Sequence, residues 1–419
     1  MEDYLLKKLF EPERWEEAIE KGVEKDIQRA ELIRLCAPEY RVMIMQRIAS
    51  GTYKIAPPHA ALIPKETPGE FREVMINEPM DRVLLRIIEG MLFELTSERI
   101  HKNCVSYLKG IGCGRIVNEI KDEIEHAETE EIGFKSDLSK YFDSVPIEYI
   151  DGAFNYVEFL YGKSSVIDLL RSYYHDDMYF DEDGKIQYMY KSLKQGCAVA
   201  AWLADVILYD LDEKLSSLNM RYVRYCDDMI GIGPDWKKGL EMLKEELDKM
   251  QMKLNPKKVE VLTKNKRFKF LGYSIRKGEV TFWKKHLKTL QKEVEKATIK
   301  QRGITLKKAI NNLNRFFYKG RYSWASMNLK YITSTQDLHR VDEFILDCLR
   351  AVSTGKSDVG GLGYDPYGNG GVVIRGKGKN VKANRSKTPQ KIEGWKTLTC
   401  MKRVLRIKRS LYDSMVAAM

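Results

Sequence analysis

The chain has 419 residues, 43% hydrophobic and 31% charged, with a formal net charge of +11. That length buries a large core in more than one lobe, and the positive balance suits a polyanionic partner whose binding weakens with salt. No apolar run reaches the roughly eighteen residues of a membrane span, and the seven cysteines (Cys36, Cys104, Cys113, Cys197, Cys226, Cys348, Cys400) and six histidines form no metal-ligand spacing, so a disulfide scaffold, a zinc site and a histidine-type endonuclease are excluded and a soluble, cytoplasmic protein with reduced thiols is expected.

Residues 1–50 read as charged helices, with Trp15, Ala18 and Ile19 at helical spacing. The glycine-rich stretch from Cys104 to Arg115 lacks the strand-to-helix frame of a nucleotide-binding fingerprint. Phe134 to Asp137 is a short strand running into a turn, and residues 147–175 are helical. Met178 to Tyr188 reads as a hairpin about Asp183-Gly184. Behind Gln195-Gly196 a long amphipathic helix is predicted, with Val199, Leu203, Val206 or Ile207, and Leu211 on one face.

Arg221 to Ile232 alternates on both sides of Tyr225-Cys226-Asp227-Asp228, which predicts two short strands with the acidic pair at or near their turn. Helices are expected over Trp283 to Lys300, Thr305 to Tyr318 and Gln336 to Val352. Residues 355–394 read as a flexible basic segment and Trp395 to Ala418 as a short basic helix; residues 356–419 hold 14 Lys or Arg against 4 Asp or Glu. Basic residues interleaved with Tyr364, Tyr367 and Trp395 suit phosphate contacts and stacking on structured RNA. The plain alternative is a solubilising tail.

Asp227-Asp228 carries the chemistry. An Asp pair in a hairpin is common, because Asp tolerates turn geometry. A third acid, Asp137 at a strand end, changes the weight: one strand-end Asp plus one hairpin Asp pair is the layout of two-metal nucleotidyl transfer, where one ion activates a 3′-hydroxyl and the other neutralises pyrophosphate.

The motifs, in order, resemble those of bacterial, group II intron-like reverse transcriptases over residues 50–350. Asp137 to Asp143 matches that family's first palm motif, Lys194-Gln195-Gly196 its second and Tyr225 to Asp228 its third. Asn255-Pro256-Lys257-Lys258 matches the fourth and Phe268 to Tyr273 the fifth. Upstream, Pro64-Lys65, Phe71 to Val74 and Pro79 to Val83 resemble its fingers segment.

The resemblance implies an α+β, right-hand polymerase fold: a helical N-terminal extension (1–50), fingers (51–130), a palm with a mixed or antiparallel sheet (131–275), a helical thumb (276–355) and a basic RNA-binding segment (356–419). It implies two Mg2+ ions on Asp137 and Asp227, with Asp228 a weaker or indirect ligand and the Leu138 carbonyl an extra oxygen. Lys65 and Arg72 would hold the incoming dNTP triphosphate. Phe142 would exclude a ribose 2′-hydroxyl, with Tyr141 one residue away as the competing register. Gln195 and Gly196 would line the nascent pair, and Phe270, Leu271 and Tyr273 would grip the primer. Lys258, or its neighbour Lys257, would protonate the leaving pyrophosphate.

The sequence departs from these relatives at Ala200-Ala201, where Ser-Pro is usual, and it keeps Gln195, which mutagenic retroelement enzymes tend to replace. Intron-encoded relatives usually add a DNA-binding or endonuclease domain after the thumb. The narrower expectation is therefore a stand-alone, defence-associated (class 2-like) reverse transcriptase that copies a companion noncoding RNA into cDNA. The alternatives are a diversity-generating or degenerate intron retroelement enzyme, and a non-catalytic RNA-binding scaffold.

Overall fold

Pro12 and Pro38 open helices at the first turn, where a missing N–H leaves no bond unmade. Those helices, Pro12–Lys21 and Pro38–Ala49, alternate with Tyr4–Leu9 and Arg29–Leu35. In the computed structural model the described residues are 2–22, 27–65, 69–107, 113–320, 323–329, 331–353, 394–395, 397–399 and 401. The chain divides into two units, residues 1–109 with 133–261 and residues 110–132 with 262–419. This division cuts across the linear regions, since 110–132 and 262–275 group with the residues after 276.

In the first unit the N-terminal helices are part of the core. Trp15 is fully buried, stacks on Phe10 and donates from its indole to the Leu9 carbonyl. Asp3 caps its own helix through Leu6 N–H and also accepts from the Ser165 amide and hydroxyl, at 2.8 and 2.7 Å. One carboxylate thus ties the first turn of the chain to the helix Ser165–His175.

β1 (His59–Pro64) and β2 (Phe71–Ile76) form an antiparallel pair with Ile63 opposite Arg72. β3 (Glu131–Asp137) belongs to a second sheet. β4 (Met178–Phe180) and β5 (Ile186–Tyr188) are the predicted hairpin. Gly184 has φ +75° at its turn, and Asp181 accepts the N–H groups of Asp183 and Lys185. β4 joins β1 in parallel at His59 and Phe180, whose rings stack, giving the order β2-β1-β4-β5.

β6 (Arg221–Tyr225), β7 (Asp228–Ile232) and β8 (Glu260–Thr263) complete the second sheet, in the order β6-β7-β3-β8. β7 lies between β6 and β3, antiparallel to both, and Asp137 pairs with Asp228. Gly133 permits that register, because a Cβ there would meet the Gly231 carbonyl oxygen at 2.1 Å. Helices Pro79–Leu95 and Val199–Val206 pack together, and the Trp202 indole donates to Thr96 Oγ1 at 2.8 Å.

The long helix expected after Gly196 is instead two, Val199–Val206 and Tyr209–Ser216. The cause is tertiary. The Ala204 and Asp205 carbonyls accept hydrogen bonds from the Arg224 guanidinium, at 3.2 and 2.9 Å, where an unbroken helix would use them for its own amides.

In the second unit, helix Cys113–His126 brings Gly114 against the ring of Tyr331, too close for a Cβ. β9 (Phe268–Phe270), β10 (Tyr273–Arg276) and β11 (Glu279–Phe282) form a meander. The three expected helices are Lys284–Ala297, Leu306–Tyr318 and Gln336–Ser353, with Trp324–Asn328 between the last two. Thr305 is the N-cap of the second, accepting from Lys308 N–H.

Trp395 does not present its ring for stacking on RNA. It is 7% exposed and packs on Phe317 and Tyr318, with ring centroids 5.8 and 5.7 Å away. Asp342 anchors the residues that follow, accepting the Leu398 and Thr399 amides and the Thr399 hydroxyl. Tyr364, Tyr367 and most of the expected basic segment and helix lie outside the described residues.

Candidate active site

β3 delivers Asp137 at its end, and the two-residue turn between β6 and β7 delivers Asp227, with Asp228 opening β7. The backbone locks these pieces together. Leu138 N–H donates to the Asp227 carbonyl at 3.2 Å, and Asn255 N–H donates to the Asp137 carbonyl at 2.8 Å. Leu138 is buried and bridges Leu254. Residues 137, 138, 227, 228 and 255 therefore share one rigid corner of the first unit.

One of the three carboxylates, that of Asp227, is perturbed. Burial pushes the Asp227 carboxyl above its usual range; Asp137 and Asp228 push it the same way, and Lys258 opposes them. Two ammonium groups answer the charge. Lys258 Nζ lies 2.6 Å from Asp137 Oδ2, and Lys135 Nζ lies 3.0 Å from Asp228 Oδ1. Lys257, the open alternative, is exposed and its amide turns back to Asn255 Oδ1. Lys135 was missed by sequence reasoning, although the signal exists: two residues before Asp137 on a strand places it on the same face.

Among the described residues no three His, Cys, Asp or Glu side chains converge as a ready-made metal cluster, and lysines engage two of the three carboxylates. The chemistry of the donor set nevertheless fits a divalent cation. These are hard oxygen ligands, and the Asp137 and Asp228 carboxylates add to the rise that burial gives Asp227, a gathering of negative charge that a cation relieves. Asp137 and Asp227 are the pair that would hold it.

The remaining candidates of the palm and fingers motifs lie in the same unit. Tyr141 is buried with its hydroxyl on the Ala204 carbonyl at 2.9 Å, whereas Phe142 is half-buried and meets Tyr141 edge-on. Asp143 is raised by burial, with Lys191, Lys140 and Lys65 acting against it. Lys65 and Arg72 are both exposed on the β1–β2 hairpin. Gln195 accepts the Met75 N–H at 2.6 Å through its carbonyl, and Gly196 has φ +112° with no room for a Cβ beside Met75.

The loop before Gln195 is built on buried lysine chemistry that the sequence did not disclose. Lys194 is 2% exposed, donates to the Asp176 carbonyl at 2.7 Å and sits over the Tyr173 ring; burial lowers its pKa. Lys191 pairs with Glu73 of β2 at 2.5 Å and covers the Tyr179 ring. In the second unit, Phe270 and Tyr273 are buried and Tyr273 donates to Asn328 at 2.7 Å, so of the expected primer-gripping residues only Leu271, at φ +48°, stands in the turn with its side chain partly open.

A sheet corner with strand-end and hairpin carboxylates, two of them paired with lysines, lies within a polymerase-like fold of mixed α+β architecture. The chain belongs to the reverse transcriptase (RNA-dependent DNA polymerase) family, which it matches over residues 63–275, just over half its length. Among solved structures it is similar to telomerase from Candida albicans in complex with a fragment of telomeric RNA, at 11% identity over 76% of this chain and 63% of that one, with a TM-score of 0.41. It is also similar to apo telomerase from Candida tropicalis, at 12% identity over 73% and 60% of the two chains and a TM-score of 0.45. The chain thus spans about three fifths of those proteins. No curated protein matches it.

Proposed function

We propose that this chain is an RNA-directed DNA polymerase that extends a primer with dNTPs along an RNA template to give cDNA. The observation that carries the reading is the corner formed by Asp137, Asp227, Asp228 and Lys258 within a reverse transcriptase domain. Mg2+ bound there would lower the pKa of the primer hydroxyl and neutralise the departing pyrophosphate. Asp137 and Asp227 would hold that ion through their carboxylates. Lys258, released from Asp137, supplies the proton to the leaving group. Lys65 and Arg72 bind triphosphate oxygens, and Phe142 occupies the space a 2′-hydroxyl would need.

The finer reading is a defence-associated enzyme, acting on a companion noncoding RNA in the cytoplasm. Its support is the basic balance of residues 356–419, suited to a dedicated RNA. The deciding experiment is to sequence nucleic acid that copurifies with the chain from its native host, beside a variant carrying Asp227→Ala and Asp228→Ala. One abundant structured RNA, with complementary DNA only in the parent, is the expected result. Heterogeneous RNA with no DNA in either sample would return the chain to an RNA-binding scaffold.

A further inference from the structure

Cys226, the first residue of the catalytic turn, has φ +57°, a left-handed conformation that a side chain with a Cβ disfavours. Such a conformation persists where its surroundings over-determine it, and here both backbone polar groups of Cys226 are held by buried side chains. Its N–H donates to Ser106 Oγ at 2.6 Å, and its carbonyl accepts from Arg224 Nη1 at 3.4 Å. Ser106 and Arg224 are each fully buried.

Each holder is itself fixed. Residues 103–105 run beside β6 like an extra strand: Arg224 N–H donates to the Asn103 carbonyl and Val105 N–H to the Arg224 carbonyl, at 2.9 and 2.8 Å. This carries Ser106 up to the turn, and Tyr107 beyond it points its hydroxyl at Cys226 Sγ, 3.7 Å away. The Arg224 guanidinium is clamped by Asp212, with Nε and Nη2 on its carboxylate at 2.8 and 2.6 Å. The same fork closes the end of helix Val199–Val206, the helix that starts three residues after Gly196.

We propose that Ser106 and Arg224 are positioning residues for nucleotidyl transfer, which hold the left-handed turn at Cys226 and thereby aim Asp227 at Asp137. The proposal rests on the polymerase reading above. Neither residue reaches the reacting atoms; each acts through the backbone of Cys226. Groups that orient metal ligands in this indirect way are worth about 10- to 100-fold in metal affinity or activity.

The test uses the full chain with Ser106→Ala, which removes one oxygen and adds no bulk, and Arg224→Lys, which keeps the charge and loses the fork. Mn2+ affinity is measured by electron paramagnetic resonance on the chain alone, with Asp227→Asn as reference, together with kcat and KM on an RNA template with a DNA primer. For both variants the expectation is an Mn2+ affinity weakened about 10-fold and a kcat lowered about 10- to 100-fold, with KM for template-primer unchanged. Adding Cys226→Gly to Ser106→Ala should restore most of the Mn2+ affinity, since glycine adopts a left-handed φ freely.

Parental Mn2+ affinity and kcat in a folded Ser106→Ala chain would overturn the proposal, even if Arg224→Lys failed to fold. So would failure of Cys226→Gly to restore binding, which would make Ser106 a packing residue alone. A parent that incorporates no dNTP and binds Mn2+ no better than Asp227→Asn would overturn the polymerase reading and this proposal together. Active parent and equally active variants would overturn the positioning alone.

Discussion

Two hairpins of the first unit carry the charges assigned to catalysis and to substrate, and they are built in opposite ways. The β6–β7 hairpin rests on a dry polar foundation in which Arg224, Asp205 and Asp212 are all fully buried. The β1–β2 hairpin carries Lys65 and Arg72 on exposed positions, beside exposed Leu62, Ile63 and Phe71. On the proposed reading, the groups that would meet at a fixed geometry are supported from below and those that would receive a triphosphate are left in solvent, which is where preorganisation would and would not matter to the reaction.

Disabling the rigid hairpin should have the largest effect. Replacing Asp227 and Asp228 together by Ala should lower dNTP incorporation at least about 10²- to 10³-fold while RNA affinity in a filter-binding titration stays within twofold, roughly the precision of such an assay; retained incorporation would remove the carboxylates from the chemistry. Next in size is Lys258→Ala, expected to cost about 10²-fold in kcat, whereas Lys257→Ala should be nearly silent. Equal losses in the two would erase the distinction drawn by the 2.6 Å contact of Lys258 with Asp137.

On the open hairpin, Arg72→Ala should raise KM for dNTP about 10-fold, the loss of one charge-assisted phosphate contact, and change kcat less; a pure kcat defect would move Arg72 to the rigid side of the comparison. Phe142→Ala should narrow discrimination against ribonucleotides by about 10-fold, read as the ratio of kcat/KM for the two sugars. Unchanged selection would place the sugar elsewhere.

The smallest expected effect concerns stability. Burial raises the Asp205 carboxyl from 3.8 to about 6, against the pull of Arg224. Because its folded value lies above its unfolded one, its contribution is present below pH 4 and is lost as pH rises through 6. Asp205→Asn should therefore gain on the parent in melting temperature by a few degrees between pH 4 and pH 7. A constant difference across that range would show that Asp205 stays ionised throughout.

Much of this site was legible in the sequence because its chemistry is local. Asp137 and the Asp227-Asp228 pair announce themselves by residue type and strand alternation, and the Asp183-Gly184 hairpin by turn chemistry. Helix ends were readable at Thr305 and Gln336 for the same reason. What escaped depends on partners far along the chain. Nothing near residue 207 foretells a helix break caused by a guanidinium from Arg224. Ser106 looks like any loop serine until Cys226 donates to it, and Trp395 like any aromatic in a basic stretch until Phe317 and Tyr318 surround it.

The clasp that Asp342 makes with Leu398 and Thr399 changes how the end of this chain should be cut. A deletion begun near residue 355 strips away basic charge but also pulls Trp395 out of an aromatic nest and leaves a buried carboxylate with no amide to meet. Lost RNA affinity in such a deletion would report a damaged helical unit as readily as a missing RNA contact. Stopping after Met401, which keeps every residue of the clasp, removes the basic charge of residues 402–419 without touching that architecture, and the clasp marks where the scissors belong.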